Sequence, residues 1–326
     1  MRWLVHTIIA FAEVVFVTAL PPAIAQAYPA KSIRAIVPGL PGGSLDVVVR
    51  LMVPGLSAAL GQPVVIENHA GASGVIGMQI AVGSAPDGYT LLFTTTTHVI
   101  MVPLLLKNVP YDPIKDLTPI AATVQPVVCI VAHPSVQAES LNNLIDYARR
   151  NPGMLRYSTS GIGSVFHFLG EHLKQAAGLD IPHIPYKGVP QAIRDLVAGR
   201  IELSFVSLAS AKPLVAAGKL KLLAMVDERR DRSFPNVPTV AEVVPGFEKP
   251  ANWYGAFGPA GLPQPIVARL NAEIVKMLNT SVLRVRFDEL SVAVVGGTPE
   301  QLATLLSEGL ANVGRVARTA GITLTE

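Results

Sequence analysis

The chain has 326 residues, half of them hydrophobic and 15% charged, with a formal net charge of +3. That length exceeds one comfortable hydrophobic core and favours two domains. The weak positive balance, with no Lys/Arg run interleaved with aromatics, gives no nucleic-acid partner, and the single cysteine, Cys129, excludes an intramolecular disulfide or a cysteine-built metal cluster.

Residues 1–27 have the pattern of a secretory leader. Arg2 supplies the positive end, residues 8–20 are mostly apolar, and small residues place cleavage near Ala25 or Ala27. Arg2 and Glu13 cancel, so removal leaves the net charge unchanged. The expectation is an exported, periplasmic protein.

From Tyr28 onward, short β-branched runs alternate with amphipathic segments, the pattern of a mostly parallel sheet covered by helices. Residues 33–37 form the first predicted strand. Pro38-Gly39-Leu40-Pro41-Gly42-Gly43-Ser44-Leu45-Asp46 follows, and then a helix over 45–60 with Leu45, Val48, Val49, Met52 and Leu56 on one face. A strand, a glycine turn and a helix aim free N–H groups and the positive end of the helix dipole at one spot. Ser44 is placed as the N-cap. The turn has two readings: a cradle for an anion, or a tight βα connection.

Residues 64–67 give a second strand and 89–93 a third, which runs into Thr94-Thr95-Thr96-Thr97-His98. These hydroxyls lie where open α/β sheets bind ligands, although threonine also favours strands for its own sake. Residues 110–119 read as a loop, 127–132 as a strand with Cys129 a small buried hydrophobe, and 141–150 as a helix.

The opening pattern then recurs. Residues 155–158 form a strand, Ser158-Thr159-Ser160-Gly161-Ile162-Gly163-Ser164 a small-residue turn, and Val165, Phe168, Leu169, His172 and Leu173 one helix face. Strands are predicted over 181–186, 201–206, 220–226 and 253–257, and helices near 190–198, 209–217 and 263–279. Residues 235–250, with four prolines, read as a connection back to the first lobe. Thr298-Pro299-Glu300-Gln301 has the form of a capping box opening the last helix.

The second turn lacks the third glycine of a dinucleotide fingerprint, Phe166 standing there, and neither turn is followed by a Walker lysine. No Gly-x-Ser-x-Gly elbow exists. His69, His98, His133, His172 and His183 lack metal-ligand spacing, so no metal and no cofactor are expected. Ser164 and His167, at i and i+3, leave a Ser/His hydrolase as an alternative. What remains is anion binding by two helix ends, helped by hydroxyls of Ser44, Thr96, Ser160 and Ser164.

Several motifs now coincide in order: Tyr28-Pro29-x-Lys31-x-Ile33-Arg34, Val37-Pro38-x-x-Pro41-Gly42-Gly43-x-x-Asp46, Leu60-Gly61-Gln62-Pro63-Val64-Val65-x-Glu67-Asn68, Ala85-Pro86-Asp87-Gly88-Tyr89-Thr90-Leu91, Pro185-Tyr186-Lys187-Gly188 and Pro235-x-Val237-Pro238-Thr239. Together they resemble the Bug family of extracytoplasmic solute receptors for tripartite tricarboxylate transporters. The resemblance implies a class II periplasmic-binding-protein fold of two α/β lobes with a ligand cleft between them, and no enzyme activity. It assigns 28–124 and 247–326 to lobe 1 and 125–246 to lobe 2. The implied partners are a small organic carboxylate and the membrane permease subunits, with the receptor expected as a monomer.

The resulting ligand-binding candidates are Pro41, Gly42, Gly43, Ser44, Asp46, Thr95, Thr96, Ser160, Gly161, Gly163, Ser164, His167, Val206 and Ser207. Two departures qualify them. Val206-Ser207 stands where the family commonly has Asp-Asn, which argues against an amino-acid ligand and toward an apolar or aromatic carboxylate. Asp46 would repel a ligand anion unless its carboxylate is turned aside. A signalling receptor on the same scaffold is the further alternative.

Overall fold

In a computed structural model the described residues are 28–319 and 322; the leader assigned to 1–27 lies outside them. Twelve strands are seen among them. β1 (Ile33–Val37), β2 (Val64–Asn68), β3 (Thr90–Thr95) and β4 (Leu117–Ala122) come first, with β5 (Val124–Pro126) and β6 (Val128–Ala132) directly after. β7 (Tyr157–Thr159), β8 (His183–Pro185), β9 (Leu203–Ser207) and β10 (Lys221–Met225) follow, and β11 (Tyr254–Pro259) and β12 (Val292–Val294) close the series.

They make two five-stranded sheets, ordered β2-β1-β3-β11-β4 and β10-β6-β9-β7-β8. Each sheet is the floor of one α/β lobe. Both are mixed, where the sequence pattern predicts mostly parallel pairing. β11 runs antiparallel to β3 and β4, and β6 antiparallel to β9 and β10. The cause is connectivity: β6 and β11 are the strands that arrive from the opposite lobe, so each enters its sheet reversed.

β1 and β3 carry apolar side chains on both faces, the exposed Arg34 of β1 excepted, because each face of the sheet is covered by a helical layer. Ile33, Ala35 and Val37, with Leu91 and Phe93, pack on Val48, Val49, Met52 and Leu56 of the helix Ser44–Leu60 and on Leu270 and Ile274 of the helix Gln264–Leu278. Ile36 and Leu92 face the other layer, where Met78, Val99 to Val102 and the last helix, Pro299–Thr319, bury Leu302, Leu306 and Val313. That helix opens with the anticipated box: Gln301 N–H donates to Thr298 Oγ1 at 3.3 Å and Thr298 N–H to Gln301 Oε1 at 2.8 Å. In the second lobe Val165, Phe168, Leu169 and Leu173 are buried as their spacing requires, and Cys129 is fully enclosed, which pushes its thiol pKa up.

Three elements escape the sequence pattern. β4 falls partly in the stretch read as a loop, because Pro119 sits inside it at a register shift against β11. β12 pairs antiparallel with β5, bracing the chain where it passes between the sheets. The helix Ser281–Glu289, with two arginines and two acids in nine residues, buries only Leu283 and Phe287.

Candidate functional site

Between the lobes lies a cavity of about 680 Å3, within the usual size of a small-molecule site. Its walls are the first turn (Gly39, Leu40, Gly43 to Asp46), the loop Ala70 to Gly74, the end of β3, the second turn (Ser160 to Ile162, Ser164 to Phe166), Pro185 to Gln191, and Asn252 and Tyr254 beside β11. Of the candidates, Gly43, Ser44, Asp46, Thr95, Ser160, Gly161 and Ser164 meet there. Pro41, Gly42, Thr96, Gly163, His167, Val206 and Ser207 do not line it.

At the first turn the N-cap is Gly43, with no side-chain cap, and Ser44 is the first helical residue, a correction to the expected cap. Ser44 Oγ instead receives a hydrogen bond from the Tyr254 hydroxyl at 2.9 Å. Gly43 N–H goes to Leu40 C=O and Gly42 N–H to Asp46 Oδ2. No acceptor among the described residues takes the N–H groups of Ser44, Leu45 and Asp46, three of the four that a helix start orphans, the fourth being that of Gly43. These three residues line the cavity.

Asp46 does not threaten an anion there. Its carboxylate, 2% exposed, accepts from Gly42 N–H and Arg50 Nε at 2.8 Å each and from Asn68 Nδ2 at 2.9 Å. Burial acts to raise its pKa, but the bonds from Arg50, Gly42 and Asn68 and the Arg50 charge outweigh it, and the carboxyl stays below its ordinary range. The side chain is a brace for the turn.

The second turn is arranged differently. Ser164 is a side-chain N-cap, its Oγ accepting from His167 N–H at 3.2 Å. Gly161 N–H goes to Thr159 Oγ1, Gly163 N–H to His167 Nδ1, and Val165 N–H across the cleft to Thr97 Oγ1 at 3.1 Å. From Gly161 to His167, the N–H groups of Ile162 and Phe166 are those left without an acceptor among the described residues. A second bridge, Ser73 Oγ to Ile162 C=O at 2.6 Å, also joins the lobes.

Behind this turn the His167 and His183 rings stack at 3.8 Å, 15° from parallel. His183 Nε2 lies 2.7 Å from Thr159 Oγ1, so both glycine N–H acceptors trace back to this pair. Burial, with the Lys174 charge adding to it, pushes both imidazole pKa values down despite Glu171 beside His167. Ser164 and His167 therefore do not form a nucleophile–base pair: the hydroxyl caps the helix and the ring holds Gly163.

The threonine run splits by strand alternation. Thr95 and Thr97 reach the cavity, while Thr94 is buried against His98 and Met78, and Thr96 Oγ1 is enclosed without a partner among the described residues. Val206 is fully buried within β9, and the Ser207 hydroxyl pairs with Ser210 Oγ at 3.0 Å. The departure from Asp-Asn thus sits beside the cavity and not in its wall.

Sequence reasoning marked the Thr97 hydroxyl within its run without carrying it into the candidates, and missed His98, Asn252, Tyr254 and the loop Ala70 to Gly74 as wall residues. The Pro185-Tyr186-Lys187-Gly188 motif, quoted above only for resemblance, also lies there. Lys187, exposed at the rim, is the only Lys or Arg in the wall among the described residues. No group of three or more His, Cys, Asp or Glu that could hold a metal is found among the described residues.

Two α/β lobes around a cleft lined by backbone donors define the class of solute-binding receptors with a periplasmic-binding-protein fold. A family model described as "Tripartite tricarboxylate transporter family receptor" matches residues 48–322, and the chain belongs to this family. It is similar to Protein BugT of Bordetella pertussis, 33% identical over 305 residues and 93% of each chain. Two solved structures are similar as well. R. palustris Rpa4515 with adipate shares 33% identity at a TM-score of 0.88, covering 91% of this chain and 99% of that one. MatC from Rhodopseudomonas palustris with bound malate shares 31% at 0.83, covering 89% and 99%. Members of the family are receptors and not enzymes.

Proposed function

We propose that this protein is a periplasmic receptor, processed near Ala25 or Ala27, that captures a small carboxylate between its lobes. As a monomer it hands the carboxylate to the membrane permease subunits of a tripartite tricarboxylate transporter. The lobes are 28–124 with 247–326 and 125–246. One observation carries the reading: Ser44, Leu45 and Asp46, whose N–H groups have no acceptor among the described residues, line a cavity of about 680 Å3. Three convergent donors at the positive end of a helix suit one carboxylate group. Gly43 and the turn Ser160 to Ser164 complete the cradle, and the adipate and malate found with similar proteins support the ligand class.

Binding by neutral donors holds the anion without a buried ion pair, so release remains easy. An anion touching both lobes favours the closed form. The apolar share of the wall, Leu40, Ile162, Phe166 and Tyr186, supports a carboxylate with an apolar or aromatic body. Thermal-shift screening of mono-, di- and tricarboxylates against amino acids tests this, followed by native mass spectrometry for a co-purified acid. Stabilisation by carboxylates is expected; selective stabilisation by an amino acid, or conversion of a bound probe, overturns the reading.

A further inference from the structure

His98 follows β3 by three residues, in the wide π-helical turn Thr97–Met101. The residue is only 8% exposed, yet it forms part of the cavity wall. Its Nδ1 lies 2.9 Å from Thr94 Oγ1 and 3.4 Å from Thr95 Oγ1. Its other nitrogen, Nε2, has no hydrogen-bonding partner among the described residues and is not sealed off from the cavity. A ring nitrogen with access to the cavity and no partner from the protein is free to bond whatever occupies that space.

The surroundings are shaped around the ring. A Cβ on Gly74 would stand 2.2 Å from His98 Cδ2 and 2.4 Å from Nε2, so only a glycine leaves room for the imidazole, and Gly74 has a φ of +92° besides. The neighbouring Thr97 accepts Val165 N–H from the opposite lobe, which brings the turn of His98 to the start of the second-lobe helix. Burial pushes the imidazole pKa down to about 4, so the ring is neutral near pH 7 and carries one N–H. The Thr94 hydroxyl can donate to Nδ1 or to Met78 Sδ at 3.6 Å. A thioether is the weaker acceptor, so the hydroxyl donates to Nδ1 and the ring proton sits on Nε2, which lies beside Gly74 in the cavity wall.

We propose that His98 reads the ligand directly, its Nε2–H donating to an oxygen of the carboxylate bound in the cleft. The inference rests on the receptor reading above and adds a side-chain donor to the backbone N–H groups of Ser44, Leu45 and Asp46. A neutral donor brings direction without a fixed charge, so it discriminates by the position of an oxygen and not by net charge. Gly71 to Gly74 is then the loop that lets the ring lie flat against the wall.

The test uses ligand-stripped full-length mature protein titrated by calorimetry with adipate, malate and benzoate. His98→Phe removes both ring nitrogens, His98→Asn keeps only the Thr94-facing group, and His98→Gln restores a donor at the reach of Nε2. A hydrogen bond to a charged group implies that Phe and Asn weaken the best of these probes by about tenfold or more, with Gln recovering most of the loss. In the unmutated protein, 15N NMR should show the ring proton on Nε2 and a shift of that nitrogen when the probe is added. Should the Phe variant fail to fold, the Asn and Gln pair and the NMR titration decide. Equal affinity in all variants, no advantage of Gln over Asn, or an unmoved Nε2 signal overturns the role of His98 while leaving the receptor reading intact. Failure of the unmutated protein to bind any of the three probes overturns both.

Discussion

The two small-residue turns have the same local form, a short strand leading through glycines and serines into a helix, yet they use their backbone donors in opposite ways. At the first turn a buried carboxylate, Asp46, reaches back to Gly42 N–H, and no side chain caps the helix, so three successive N–H groups are left for a ligand. At the second turn Ser164 caps its own helix, His167 and Thr159 take the glycine N–H groups, and Thr97 takes Val165 N–H. The lesson is that a glycine-rich helix start is an anion site only to the extent that nothing else has claimed its donors. The first turn keeps its donors free, as the proposed cradle requires, and the second is chiefly a clamp held in place by histidines.

The supports of the two turns differ in their response to acid, which allows the comparison to be broken. An imidazole whose pKa is depressed in the folded protein binds fewer protons there than in the unfolded chain, so stability rises with pH through that window. It is at its full value above the unfolded histidine pKa near 6.5 and is lost as pH falls toward the folded values. For His167, depressed to about 4 by burial, this amounts to roughly 3 kcal/mol, and its stacked partner His183 acts in the same direction. The thermal midpoint should therefore drop steeply between about pH 6.5 and 4.5, before the carboxylates that brace the first turn begin to protonate. Hydrogen exchange should show Gly163 opening before Gly42, and His183→Phe should flatten the slope. A midpoint independent of pH in that range would count against the histidine clamp.

Removing the brace of the first turn comes next in size. Asp46→Ala leaves the Gly42 and Asn68 donors without their acceptor, at a cost of about 2 kcal/mol. Carboxylate affinity should fall by about tenfold as the three free N–H groups lose their alignment. Calorimetry and thermal unfolding check this, and a rise in affinity would mean that repulsion by Asp46 had outweighed its bracing.

The smallest change sharpens the contrast. Ser164→Ala deletes an N-cap and should cost about 1 kcal/mol of stability, while affinity changes by no more than a few-fold. That follows because His167 N–H, which the serine satisfies, points to a cap and not to the cavity. Thermal unfolding and titration of the variant measure both, and a loss of affinity as large as that of Asp46→Ala would erase the difference between the turns.

Much of this protein is legible in its sequence. The strand before the first turn, the apolar helix faces and the capping box at Thr298 stand where spacing puts them, because each depends on neighbours within one or two turns of chain. The strand before the second turn lies at Tyr157–Thr159, displaced from the expected 155–158. β4, with a proline inside it, and the bracing pair of β5 and β12 were not legible, since their stability comes from partners more than a hundred residues away. The site was half legible: glycines and serines mark the turns, but nothing local marks His98, Asn252 or Tyr254 as walls of the same cavity.

The sequence by itself determined where helix starts with orphaned donors would stand, since that follows from backbone geometry alone. Only the tertiary structure decided which donors stay free. Asn68 reaches Asp46, Tyr254 reaches Ser44 and Thr97 reaches Val165 across 22, 210 and 68 residues of chain. Hydrogen bonding is decided by proximity in space, and proximity over such separations exists only once both lobes have packed.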